Sequence, residues 1–250
     1  MFRAEYENAS RLKYAIQALS KIGIDAEVSA KPEGLGLTVI SPDKVMMAIV
    51  EVPLSAFIDY QLDDTYAFIV PADQLNNIFK RATRNDRVIL EYEPELGNLR
   101  LTMVDKKTEV ARTFELRALP STGGLGEPKY RGYSVRLVLG ATDFKQYVSD
   151  ARAIGASDLL FKTDGEKLVL EAFSEPYSYT AILEKGNPLI DIDIKEDINM
   201  SFMLSSLQAA AKPATASEEM IIELGTAAPM KILYRFKGPE TMTVWISPVQ

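Results

Sequence analysis

An offset of 133 residues carries the stretch that begins at Asn8 onto the stretch that begins at Ala141, and both read as amphipathic helices. The same offset carries Ser41 and Ala48-Ile49-Val50-Glu51 onto Ser174 and Ala181-Ile182-Leu183-Glu184, and Asp86 onto Glu219. Further on it slips to 131, where Leu99-Arg100-Leu101-Thr102 lines up with Met230-Lys231-Ile232-Leu233. A period this long repeats a whole domain, since solenoid units run to about 20–50 residues. The 250 residues therefore divide into two similar domains in tandem, each long enough to bury its own core. Tandem copies of one fold build a pseudo-symmetric body, a common basis for rings and scaffolds.

What such a body can do is narrowed by what the chain lacks. It has no cysteine, which removes disulfides, thiolate nucleophiles and thiolate-bound metals. It has no histidine, which removes the commonest general base near neutral pH and the commonest metal ligand. An enzyme would have to manage with carboxylates, lysines and tyrosines, as glycosidases do with carboxylates. The acid clusters available are Asp63-Asp64 and Asp191, Asp193 and Asp197, which also read as solvated loops on an acidic surface. No cofactor is expected. With 47% hydrophobic and 25% charged residues the composition is that of ordinary globular domains. No apolar run approaches the roughly 18–20 residues that span a bilayer. Met1-Phe2-Arg3-Ala4-Glu5 leads straight into strand-like sequence, without the parts of a signal peptide. A cytoplasmic protein follows, or a nuclear one in a eukaryote, with no membrane partner.

In the first half, Phe2, Ala4 and Tyr6 alternate with polar residues as a half-buried strand does. A helix over Asn8–Lys21 follows, with Leu12, Ile16 and Leu19 as its apolar stripe, Asn8 or Ser10 as cap and Gly23 just past its end. Strands are predicted near Ala26–Ala30, Leu35–Ile40, Val45–Val52, Phe57–Leu62 and Tyr66–Val70. A second helix runs from Ala72 to Thr83, followed by strands at Arg87–Glu93, Leu99–Val104 and Glu109–Leu116. The second half repeats the order: strand Ser134–Leu139, helix Ala141–Gly155, three strands, a loop, strand Ile198–Leu204, short helix Ser205–Lys212, then strands to the end. Many antiparallel strands with two helices per domain predict an α+β fold with both helices against one sheet face. The domains are placed at 1–117 and 133–250. Between them, residues 118–132 include Pro120-Ser121-Thr122-Gly123-Gly124-Leu125-Gly126-Glu127-Pro128, whose composition is that of a linker. It lacks the lysine and the strand–loop–helix setting of a phosphate loop.

The charge is segregated. The whole chain carries −7 with a pI near 4.9, yet its four helical segments lean the other way. The first holds Arg11, Lys13 and Lys21 without an acid, and Ala72–Asn85 holds Lys80, Arg81 and Arg84 against Asp73. The third holds Lys145 and Arg152 against Asp143 and Asp150, and the fourth only Lys212. Bases late in a helix complement its dipole, which accounts for some of this. Four helices leaning one way in an acidic chain also suit a phosphate backbone touched without base reading.

These features together resemble the sliding clamps of the proliferating cell nuclear antigen type, found in archaea and eukaryotes. The resemblance rests on Met1-Phe2-Arg3-Ala4…Arg11-Leu12-Lys13…Ala18-Leu19, on Asp43-Lys44-Val45-Met46-Met47-Ala48, and on Pro229-Met230-Lys231…Thr243-Val244-Trp245-Ile246-Ser247-Pro248. It implies two domains of the DNA-clamp fold, with antiparallel sheets outside and helices facing the interior of a three-subunit ring. Duplex DNA would pass through without sequence specificity, lined by Arg11, Lys13, Lys21, Lys80, Arg81, Arg84, Lys145, Arg152 and Lys212. Many clamps carry the base at Ser20 rather than Lys21. The resemblance also implies a pocket that takes short peptide motifs of DNA polymerase, flap nuclease, DNA ligase and clamp loader. Its walls would be Ile40, Lys44, Val45, Leu125, Pro128, Pro229, Trp245, Ser247 and Pro248. Edge strands would join the subunits, through Arg112 and Phe114 on one side and Tyr177, Tyr179 and Ala181 on the other, in a homotrimer or with paralogous subunits. A clamp relative that recruits proteins without supporting processive replication is the alternative, and polymerase extension separates the two.

Overall fold

A computed structural model describes residues 1–128, 132–226 and 228–249. Of the predicted linker, residues 129–131 lie outside the described residues. The chain divides into two compact units, one of residues 1–42, 48–126 and 236–242, the other of residues 43–47, 127–235 and 243–250.

In chain order, the first half consists of β1 (Phe2–Tyr6), α1 (Lys13–Ile22), β2 (Asp25–Lys31), β3 (Gly34–Ile40), β4 (Met46–Pro53), β5 (Phe57–Leu62), β6 (Tyr66–Pro71), α2 (Ala72–Phe79), β7 (Asp86–Glu93), β8 (Asn98–Asp105), β9 (Ala111–Arg117) and a two-residue β10 (Leu119–Pro120). The second consists of β11 (Val135–Gly140), α3 (Ala141–Ala153), β12 (Asp158–Asp164), β13 (Lys167–Ser174), β14 (Tyr177–Lys185), β15 (Pro188–Leu189), β16 (Asp191–Ile194), β17 (Asn199–Met203), α4 (Leu204–Ala210), β18 (Ser217–Leu224), β19 (Met230–Phe236) and β20 (Thr241–Ile246).

The duplication read from sequence is a duplication of topology. One sheet of the first half runs β5-β1-β7-β8-β9, and the second half repeats it as β16-β11-β18-β19-β20. The other runs β6-β2-β3-β4 and recurs as β17-β12-β13-β14. Each unit thus has two sheets whose alternating strands supply the core. In β1, Phe2, Ala4 and Tyr6 are buried, and Phe68 stacks on Tyr92 with ring centroids 4.0 Å apart.

Several elements differ from the sequence reading. The first helix begins as a short 3-10 turn, Ala9–Arg11, before α1. Neither Asn8 nor Ser10 caps it; Ser10 Oγ instead donates to Asn8 Oδ1 at 2.8 Å, which occupies the side chain that a cap would need. Gly23 does end the helix, but in extended backbone rather than the left-handed region. Glycine is required there by closeness: a Cβ would lie 2.9 Å from both Ile40 O and Val39 Cβ. Helix α2 stops at Phe79 instead of Thr83, because Arg81 and Ala82 donate to Ile78 and Phe79, three residues back, and the turn tightens. Helix α1 lies on β2 and β3, and α2 on β6 and β9, so the helix pair touches both sheets rather than one. The cause is connectivity: α1 joins β1 to β2 and α2 joins β6 to β7, strands of different sheets.

Candidate functional site

The apolar side of α1 (Ala15, Ile16, Ala18, Leu19, Ile22) is buried, which turns Lys13 and Lys21 away from the core. Lys21 and Arg11 are exposed and Lys13 half-buried. Lys80, at the C-cap of α2, donates to Asn77 Oδ1 at 2.7 Å, and Arg81 and Arg84 follow on the exposed turn. There they also face the partial negative charge of the helix end. In the second unit, Lys145 donates to Thr215 Oγ1 at 3.1 Å and Arg152 to Gln208 Oε1, tying α3 to α4 and to the 3-10 turn Lys212–Thr215. Lys212 is exposed at the head of that turn.

Several arginines of the sheets are ion-paired. Arg3 is paired with Asp59 and Glu5, Arg87 with Glu5 and Glu109, Arg100 with Glu115, and Arg136 with Glu223. Among the described residues, Lys13, Lys21, Lys80, Arg81, Arg84, Lys145, Arg152 and Lys212 have no carboxylate partner. Arg11 is the exception, 3.9 Å from Glu240. Acids therefore offset several strand arginines, whereas the other cations of the helical segments, like Lys31, Arg117, Lys162 and Arg235 on strands, keep their charge unpaired among the described residues.

The candidate peptide-pocket residues fall in both units. In the first, Ile40 ends β3 half-buried, and Leu125 is 41% exposed beyond glycines 123 and 124, both at positive φ. In the second, Asp43 Oδ1 accepts from Val45 N at 3.1 Å, a turn that puts exposed Lys44 at φ 60. Val45 O then accepts from Ser247 N at 2.9 Å, which sets Val45 beside the tail. Pro128, Pro229, Ser247 and Pro248 are half-buried. Trp245 is 2% exposed, with its Nε1 unpartnered, so it can form the floor of a site but not a projecting anchor. The linker is more anchored than its composition conveys. Leu119 and Pro120 pair with Ile69 and Phe68 of β6, and Ser121 Oγ donates to the buried Glu27 at 2.5 Å.

Both candidate subunit edges are open. Among the described residues, β9 has a strand neighbour on one side only, and β14 is flanked on its outer side only by β15, at Glu184 and Lys185. Phe114, Tyr179 and Ala181 are half-buried and Tyr177 is 62% exposed. Burial, with the carboxylate of Asp150 adding to it, pushes the Tyr179 hydroxyl up to about 12. Arg112 is already engaged within the chain, on Asp86.

Two further buried carboxylates, Asp86 and Glu240, lie outside the predicted sites, and each has one partner distant in the chain. Asp86 is fully buried and accepts from Thr83 N at 2.8 Å, Thr83 Oγ1 at 2.7 Å and the Arg112 guanidinium. Burial raises its pKa, but those hydrogen bonds outweigh it and hold the carboxyl below its ordinary 3.8. A depressed carboxylate stabilises the fold above the unfolded value and loses that contribution as pH falls through the folded one. Acid titration of the melting temperature is therefore expected to show a loss below about pH 4 that Asp86→Asn flattens. At neutral pH the same variant is less stable by about 1–3 kcal/mol. Its repeat counterpart Glu219 is half-buried.

Glu240, 1% exposed, accepts from Tyr6 Oη and holds the hairpin 236–242 against β1. Its Oε2 has no partner among the described residues, and a Cβ on Gly238 would lie 2.2 Å from it, so a side chain there would have to displace the carboxylate. Glu240→Ala should cost about 1–3 kcal/mol by stranding the Tyr6 hydroxyl. In denaturant titrations, Tyr6→Phe added to that variant should then cost less than Tyr6→Phe alone.

Comparison with known proteins agrees with this geometry. Residues 1–121 match the family model for the N-terminal domain of proliferating cell nuclear antigen. The chain is 26% identical over 249 residues to the DNA polymerase sliding clamp of Nanoarchaeum equitans, covering 98% of each. It is 23% identical over 250 residues to DNA polymerase sliding clamp 1 of Saccharolobus solfataricus, covering 99% of each. Its fold matches a chain of the PCNA2-PCNA3 complex from Sulfolobus tokodaii, with a TM-score of 0.87 at 21% identity over 98% of both chains. Over its full length the chain is similar to sliding clamps and shares their fold, and its first 121 residues match the N-terminal domain of the proliferating cell nuclear antigen family.

Proposed function

We infer that the chain is one subunit of a three-membered ring that encloses duplex DNA and tethers a DNA polymerase to it. The observation that carries this reading is the unpaired positive charge on the helical segments of both units, in a chain whose net charge is −7. Lysines and arginines without aromatic neighbours contact phosphates regardless of sequence, and each contact weakens with salt. Enclosure supplies the retention, so weak contacts permit sliding. Catalysis has no place in this role.

Domains at 1–117 and 133–250, joined by 118–132, belong to this reading. So does pairing of β9 on one subunit with β14 on the next, which would cover both open edges. The subunits would be copies of this chain or its paralogues. Polymerase, flap nuclease, ligase and clamp loader would dock short apolar motifs on the surface around Val45 and Ser247. The location would be the archaeal nucleoid, or the nucleus in a eukaryote. Primer extension on a long primed template tests the role: product length should rise with the protein present, alone or with its paralogues. Unchanged length, with peptide binding intact, contradicts it.

A further inference from the structure

Glu27 is a polar residue at a place in the sheet where the other repeat uses an apolar one. On β2 the buried residues Ala26, Val28 and Ala30 share one face, and Glu27 lies on the opposite face. It is nevertheless only 9% exposed. The offset of 133 carries it onto Leu160 of β12, so an apolar side chain fits this position of the repeat. Burying a carboxyl group costs free energy unless hydrogen bonds offset it. Glu27 accepts one from Ser121 Oγ, at 2.5 Å, and Ser121 belongs to the linker.

In the sheet order, β6 lies between β2 and the segment Leu119–Pro120, so this hydrogen bond reaches across β6. It sits where the anchored part of the linker ends. Ser121 N donates to Ala67 O at 2.9 Å, and Gly123 N donates to Ser121 Oγ at 3.1 Å. Beyond that point the chain turns in the open. Gly123 and Gly124 have φ of 70° and 124°, and a Cβ on Gly124 or Gly126 would meet nothing within 4 Å. Gly126 N donates to Gly124 O at 2.9 Å, which closes a three-residue turn with Leu125, 41% exposed, at its tip. Ser121 Oγ therefore binds the buried carboxyl group on one side and the amide that begins the turn on the other. Glu27 and residues 119–126 all belong to the first compact unit.

We propose that Glu27 is a positioning residue for partner docking: through Ser121 it fixes where the turn at 123–126 starts, and so where Leu125 meets the apolar motif of a partner. This role rests on the clamp reading, which gives Leu125 to the partner-peptide surface; the Glu27–Ser121 hydrogen bond does not. A turn held in place beforehand spares binding the cost of ordering it. A serine hydroxyl donates to an amide carbonyl as well as to a carboxylate, so glutamine at position 27 keeps the hold. Methionine, apolar and of similar length, suits the sheet and lets the linker go.

The test compares Glu27→Met, Glu27→Gln and Ser121→Ala in the assembled protein, with a synthetic peptide bearing one leucine and two phenylalanines on a single helical turn as the probe. Three quantities are read: amide hydrogen exchange over residues 121–126, peptide affinity and the denaturation midpoint. Glu27→Met and Ser121→Ala should each speed linker exchange by about tenfold, the equivalent of one lost hydrogen bond. Each should weaken the peptide by at least about threefold, since binding must then order the turn. Glu27→Met should leave the midpoint unchanged or raise it, because an apolar side chain replaces a buried carboxyl group. Glu27→Gln should keep exchange and affinity at the parent values. A lower midpoint for Glu27→Met with linker exchange unchanged makes Glu27 a stabilising residue only and overturns the proposal. Faster exchange at unchanged peptide affinity overturns it too and spares the clamp reading. Absence of peptide binding by the parent protein overturns both.

Discussion

Trp245→Ala destabilises the C-terminal unit by about 3–5 kcal/mol, read as a lower denaturation midpoint. The ring is 2% exposed, on a strand where Met242, Val244 and Ile246 are fully buried, so nothing in the surroundings can relax into the space it leaves. Trp245→Phe separates packing from hydrogen bonding. It keeps most of the volume and removes an indole N–H that has no acceptor, so it should cost less than about 1.5 kcal/mol. A loss for alanine no larger than that for phenylalanine would show that the residue is not a packing element. Peptide affinity should follow the same order, because Ser247 and Pro248 leave the strand directly after this ring.

Reversing Lys80, Arg81 and Arg84 to glutamate should all but abolish DNA association at physiological salt while leaving peptide binding intact. These cations have no carboxylate partners among the described residues, so each is free to displace a counterion from DNA. Each lost phosphate contact lowers the slope of log affinity against log salt by about one, and the triple variant should lose about three. Because the three side chains are exposed, the fold should tolerate the change. A slope unchanged from the parent protein would place DNA elsewhere on the molecule. Arg11 provides an internal contrast. Its neighbour Glu240 already offsets part of its charge, so Arg11→Ala should lower the slope less than Arg84→Ala does.

Periodicity revealed the strands and the duplication because both are local or self-referential signals. The offset of 133 places β11, β12, β13 and β17 at the counterparts of β1, β2, β3 and β6. Helix ends were less readable. Asn8 has the right side chain for a cap but spends it on Ser10, and α2 ends early on a hydrogen-bond pattern that periodicity cannot encode. The charge bias of the helices was plain in the sequence, whereas its meaning needed the ion pairs. Arg87 and Arg84 look alike in a string of letters, yet one is neutralised by Glu5 and Glu109 and the other is not. Nothing in the sequence marks Asp86 and Glu240 as buried, because Arg112 and Tyr6, which help to make that burial tolerable, are 26 and 234 residues away. Such long-range pairs leave no local pattern.

Retention on circular against linear DNA tests enclosure itself. Clamp loaded onto nicked circular duplex, washed in high salt and then split into cut and uncut samples, should stay on the circle and leave the linear molecule from its ends. Salt screens the phosphate contacts equally in both, so only a closed path around the helix distinguishes them. Equal loss from circle and line would mean that the protein adheres to DNA rather than encircling it.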